Sequence, residues 1–203
     1  MNIVRLRSLL LLALLAAIAA TLCDANHAFT GTLVYPHPQI GQQPFWTFPG
    51  FFLAFFAMAV GYLQTAPLLS RVMSVRASVS AGSLHAMAES LSAFMMVYLA
   101  SGFGNAHPAL LSLIFYGLFL LRWAASYERG WLLTVAIALA VGGMLAEGAL
   151  SAFGLVVYRH QDVFYVPFWL GGLYMHGTFA LREGMRYFVY RQEQAHAIPA
   201  RRT

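Results

Sequence analysis

The sequence predicts an all-α fold, a polytopic bundle of six transmembrane helices, on three observations. Hydrophobic residues fill 60% of the 203 positions, charged residues only 9%, and the mean hydropathy is +0.67, which excludes an ordinary soluble domain. Apolar runs able to cross about 30 Å of hydrocarbon occur at residues 8–34, 45–69, 77–101, 108–125, 130–157 and 164–190. All twelve basic residues are arginines, and only Arg159 falls on the side opposite the other eleven. The positive-inside rule then places both termini in the cytoplasm. Residues 1–190 read as one membrane domain and 191–203 as a cytoplasmic tail. With loops this short, any chemistry or binding must take place within the bundle.

Span one follows Arg5 and Arg7 and ends among Asp24, Asn26 and His27. Its opening "NIVRLRSLLLLALLAAIAATLCDA" also fits a signal peptide. Retention is expected, because cleavage would split a hairpin that recurs later in the chain. The single Cys23 rules out an intramolecular disulfide, and no cysteine pair of metal-binding type exists. Span two opens on "PFWTFPG". Proline suits a first helical turn, where its missing N–H would be unpaired anyway, and Trp and Phe favour the headgroup boundary. Pro49, followed by Gly50, is expected to kink this span. Small residues open span three at Ser78, Ser80, Ala81 and Gly82 and punctuate spans five and six, where helices can pack closely.

The tripeptide Pro-Phe-Trp occurs twice, each time after Val-Tyr-x-His with the same gap, and the second copy lies 123 residues after the first. The same offset aligns Asp24 with Glu147, Gly31 with Gly154, and Val34-Tyr35 with Val157-Tyr158. Spans one and two therefore resemble spans five and six. A weaker echo joins "ESLSAFMMVY" in span three to "EGALSAFGLVVY" in span five, so three related helical hairpins are expected.

Ionisable residues inside hydrocarbon are costly and are the sharpest functional leads. Span three carries His85 and Glu89, span five Glu147 and span six His176. Counting about 1.5 Å per residue from the span ends, all four are expected to meet near the midplane. His85 and Glu89, four apart, share one helical face. Three readings stay open: mutual structural pairing, the polar floor of a binding cavity, or catalysis by metal or proton transfer. The four lack a strong metal-ligand spacing, so no metal, cofactor or catalytic residue is assigned.

The stretch "VYRHQDVFYVPFWLGGLYMHG", with Asp162, Trp169 and Leu170, is similar to the tyrosine-rich turn and helix start of the Insig family. Trp46 and Pro49 in "PFWTFPG", and His85, Ala86 and Ala88 in "LHAMAE", resemble further segments of that family. The resemblance implies a non-enzymatic lipid binder or sensor with a central cavity open to the membrane. The family's ligand-facing position on helix five falls here at Gly148 or its neighbour Glu147. Together with the polar leads, the implied lipid-binding set is Glu147, Gly148, His85, Glu89, His176 and Trp169. Glu89 stands where the family has Lys, and Leu91 stands near a partner-binding Asp of animal members, so a protein partner is left unassigned. Arginine-only basic usage and compact loops point to a bacterial relative in an inner membrane. A neutral glycerolipid such as diacylglycerol is then expected before a sterol-like ligand. A homo-oligomer, trimer included, remains open, and nothing suggests nucleic acid. The alternative is an integral-membrane enzyme of sterol-isomerase-like (emopamil-binding) type using His85, Glu89 and Glu147.

Overall fold

The structure, a computed structural model, describes residues 3–197. The order is α1 (Ile3–Phe29), β1 (Leu33–Val34), α2 (Thr47–Leu69), α3 (Leu84–Phe103), α4 (Pro108–Ala124), α5 (Arg129–Ala152), β2 (Val157–Tyr158), α6 (Trp169–Gly184), a π-helical stretch Met185–Tyr190, and α7 (Arg191–Ala197). Four helices, α1, α2, α3 and α5, are long and apolar enough to cross a membrane, and α4 is a shorter apolar helix. The chain is an all-helical integral membrane protein.

The helices are shorter than the apolar runs, for local reasons. α1 ends at Phe29 because Gly31 turns to φ +66°, letting Thr32 N donate to His27 O and Gly31 N to Ala28 O. This left-handed glycine cap ends the helix while satisfying its last carbonyls. α5 ends the same way, with Gly154 at φ +70°, Leu155 N donating to Leu150 O and Gly154 N to Ser151 O. α3 starts at Leu84, where Ser83 caps the Ala86 N–H, and not in the seventies. Pro49 falls in the first turn of α2, where no intrahelical N–H is required, so the expected kink has no cause there.

The hairpin that repeats in sequence repeats in its hydrogen bonds. Ile40 and Gln43 exchange two backbone bonds of 2.9 Å, and Val163 and Val166 exchange two of 3.1 and 3.0 Å. The residues between them all have positive φ: Gly41 at 55° and Gln42 at 63°, Phe164 at 52° and Tyr165 at 65°. That is a tight type I′ turn, formed in three of the four positions against the preference of a non-glycine residue. Gln39 Oε1 accepts from Phe45 N at 3.1 Å, and Asp162 Oδ2 accepts from Phe168 N at 3.0 Å. Tyr35 donates to Asp24 at 2.7 Å, and Tyr158 donates to Glu147 at 3.0 Å. β1 and β2 pair antiparallel with Val34 opposite Val157, its own counterpart. The two outer loops are thus related by a local pseudo-twofold. Arg159 N bonds Thr32 O, whereas the counterpart of Arg159 is Pro36, which has no N–H to give.

α2 packs along α1, α5 along α6, and α3 and α4 both lean on α6. Arg5 pairs with Glu193, so α1 begins beside α7 and the two ends of the described chain lie together. At that end the α2–α3 loop is gripped from two sides. Glu128, at φ +54° before α5, accepts from Ala77 N, Ser78 N, Ser78 Oγ and Ser74 Oγ at 2.6–3.2 Å. Arg186 reaches Ser80 and Ala81, and its carbonyl accepts from Gly82 N at 3.0 Å. Gly82 is required there, since a Cβ would sit 2.7 Å from that of Arg186.

Burial pushes the Glu128 carboxyl up, but the bonds from Ser78, Ala77 and Ser74 outweigh it and hold the group below its ordinary 4.5. A carboxyl depressed in the folded state stabilises above its unfolded value and loses that contribution as pH falls through the folded one. Glu128→Gln is expected to cost about 1–2 kcal/mol at neutral pH. It should also flatten the acid limb of the stability curve below about pH 5. Thermal unfolding in detergent across pH checks this, and an unchanged acid limb would refute it.

Candidate functional site

Between the helices lies a cavity of about 640 Å³, walled by α1, α2, α3, α5 and α6, by Phe188 of the π-helical stretch and by Tyr35, Trp46, Val156 and Tyr158 from the outer connections, with nothing from α4. Small residues, among them Ala16, Ala19, Gly50, Ala54, Gly142 and Ala146, create the space. Phenylalanine, leucine and methionine side chains make the wall apolar. From α3 the wall takes Met87, Leu91, Phe94, Met95 and Tyr98, one face at helical spacing.

Glu147 stands at the polar end. It accepts from Tyr158 at 3.0 Å and from Tyr174 at 3.1 Å, and both tyrosines also line the cavity. Opposite it, α1 contributes His27, whose Nε2 lies 2.7 Å from Ser101 Oγ. Behind His27, the buried Asp24 accepts from Tyr35 and from Gln43 Nε2, each at 2.7 Å. Asp24 and Glu147 are within electrostatic reach of each other. The cluster therefore consists of Asp24, His27 and Glu147 with Tyr35, Tyr98, Tyr158 and Tyr174.

The other residues singled out by sequence lie elsewhere. Gly148 is one position, about 100°, around the helix from Glu147. It receives the outer turn, and a Cβ there would stand 2.2 Å from the Phe164 carbonyl oxygen. His85 and Glu89 are exposed. Each is two residues, about 200°, from cavity-facing Met87 and Leu91, so they point away from Glu147. His176 is buried toward α4, its Nε2 3.0 Å from Phe115 O and its ring packed on Phe115 and Phe119. Trp169 is fully buried, edge-on to His27 and Phe115. The structure does not bring His85, Glu89, Glu147 and His176 together.

Tyr174 is the site residue with no sequence signal of its own. Tyr35 and Tyr158 were marked by the recurring frame, in which an acidic residue precedes a Val-Tyr tyrosine by eleven positions. Each of those tyrosines bonds the acid of its own frame.

No protein-family model matches the sequence, and no curated protein matches it. Among solved structures, the chain is similar to a mycobacterial Insig homologue, MvINS from Mycobacterium vanbaalenii. The TM-score is 0.74 at 22% identity, over 93% of this chain and 97% of that one. It is also similar to a cross-linked MvINS trimer, with a TM-score of 0.70 at 23% identity over 90% of this chain and 95% of that one. The fold this chain adopts is that of a bacterial Insig homologue, the family that the span-five-to-six segment, "PFWTFPG" and "LHAMAE" resemble in sequence.

Proposed function

We propose that the protein is a non-enzymatic lipid-binding or lipid-sensing protein of a bacterial inner membrane. It holds a neutral lipid, diacylglycerol-like or sterol-like, in the central cavity. The observation that carries this reading is the cavity itself, about 640 Å³ of apolar wall with one cluster of polar groups around Glu147. Such a space fits an amphiphile with apolar chains and a small polar head, which desolvates little charge on entry. Glu147 and its tyrosines meet the head, while Trp169 and His176 support the wall from behind.

The membrane crossings number six. α4 adds about 25 Å of helix to the four long ones, and α6 with the π-helical stretch runs continuously from Trp169 to Tyr190. The arginine distribution places both termini on the cytoplasmic side. The hairpins α1–α2 and α5–α6 share ancestry, on the recurrence of turn, caps and Tyr–carboxylate bonds at one offset. The trimer of the similar MvINS protein makes a homotrimer the assembly to test here.

Native mass spectrometry of the purified protein tests the lipid reading. One neutral lipid per chain is expected, and protein that is consistently empty after mild extraction would sink it.

A further inference from the structure

Around the two carboxyl groups, the hydrogen-bond donors are already committed. Tyr35 and Gln43 donate to Asp24, and Tyr158 and Tyr174 donate to Glu147. Burial pushes the Tyr35 and Tyr158 phenols up, so they keep the protons they donate. Ser101 Oγ lies 2.6 Å from the Tyr98 carbonyl, which can only accept, so the serine proton points there. The 2.7 Å contact between Ser101 Oγ and His27 Nε2 then requires the imidazole proton on Nε2. This leaves His27 Nδ1 with a lone pair, and it faces Asp24 Oδ1 at 4.0 Å. Across that gap the Nδ1 lone pair faces a carboxyl oxygen that receives none of the bonds from Tyr35 or Gln43. The remaining donors, the Thr47 hydroxyl and the Trp46 indole, belong to the α2 side of the cavity.

Charge points the same way. Among the described residues no Arg lines the cavity, and the chain contains no lysine. Two carboxyl groups thus share the polar end with the His27 imidazole as the basic side chain beside them and no Arg or Lys. A buried carboxylate lacking a counter-charge is costly. A ligand that brings donors and a positive charge relieves both deficits. A hydroxyl offers one donor and an ammonium three, and charge-assisted hydrogen bonds are about twice as strong as neutral ones.

We propose that the cavity takes cationic amphiphiles as a second ligand class. A protonated primary amine head is held at Glu147 and the Asp24–His27 pair, ahead of a hydroxyl head, and anionic heads are rejected. The inference rests on reading the cavity as a lipid site and adds what its polar end selects.

The test is native mass spectrometry of the detergent-solubilised full chain at neutral pH. The protein is titrated with a matched long-chain amine, alcohol, methyl ether and carboxylic acid, and with dioctanoylglycerol. The amine is expected to bind about tenfold tighter than the alcohol, and the methyl ether and acid about tenfold weaker than it. Glu147→Gln should abolish the amine's advantage over the alcohol, bringing their affinity ratio to about one. Wild-type competition between amine and alcohol decides the question should that variant fail to fold. A methyl ether equal to the alcohol, or an acid equal to the amine, overturns the head-group selection. If dioctanoylglycerol binds and the amine does not, the selection fails while the lipid reading survives. If none of the five binds, both fall.

Discussion

Gly142→Phe is expected to empty the cavity while leaving the protein folded. Gly142 lines the cavity, and a Cβ built there meets nothing within 4 Å. A phenyl ring at this point of α5 therefore has open space at its root and enters the room an acyl chain would use. Helix propensity favours the change by a few tenths of a kcal/mol, because glycine is the poorer helix former. Lipid retention should fall at least about tenfold, or about 1.4 kcal/mol, with the melting temperature in lipid-free detergent unchanged or raised. The neighbouring Gly143 is the control for specificity. Its Cβ would stand 2.6 Å from the Tyr174 ring, so a side chain there pushes that tyrosine off Glu147 and costs stability directly. Full lipid occupancy in Gly142→Phe, read by native mass spectrometry, would count against the cavity as the binding site.

Gly148→Val should be among the most destabilising single changes in the chain. The atom a Cβ would meet is the Phe164 carbonyl oxygen, 2.2 Å away. This is backbone, which cannot swing aside as a side-chain tip can. The turn that carries it already holds Phe164 and Tyr165 at positive φ and is closed by the Val163–Val166 bonds. To relieve the clash, the turn must lift from α5. Lifting it disturbs the Asp162 bond to Phe168 N, which anchors the entry to α6. Overpacking of this kind costs about 3 kcal/mol. Thermal unfolding in detergent measures it, and a shift no larger than that of an exposed alanine replacement would refute the account.

Much of this architecture was legible in local sequence. The apolar runs located the helices because hydrocarbon demands long apolar segments wherever they sit in the fold. The doubled frame from acid to Pro-Phe-Trp foretold two like turns, since turn closure and the Tyr–carboxylate bond each depend on residues a short distance apart in sequence. Gly31 and Gly154, paired by that frame, each cap a helix end in the structure, although the expected spans ran past both; such a left-handed cap depends on a few neighbouring residues. Where expectation overran, as with helices drawn out to residues 34 and 157, hydropathy counted apolar strand residues such as Val34 and Val157 as helix.

The site was only half legible, and the missing half is rotational. Hydropathy places a residue at a depth but leaves free the direction its side chain takes around the helix axis, and one position shifts that direction by about 100°. Glu147 looks into the cavity, while Gly148 beside it looks at the outer turn. His85 stands in the first turn of α3 and Glu89 one turn further on, and α3 turns Met87 and Leu91 inward, leaving that pair outside. His176 and Trp169 are likewise turned into protein and away from the cavity. Local pattern thus located the apolar helices, the two like turns and the acids that recur. Helix rotation about each axis, set by contacts between residues far apart in the chain, decided that Asp24, His27 and Glu147 share a ring of tyrosines.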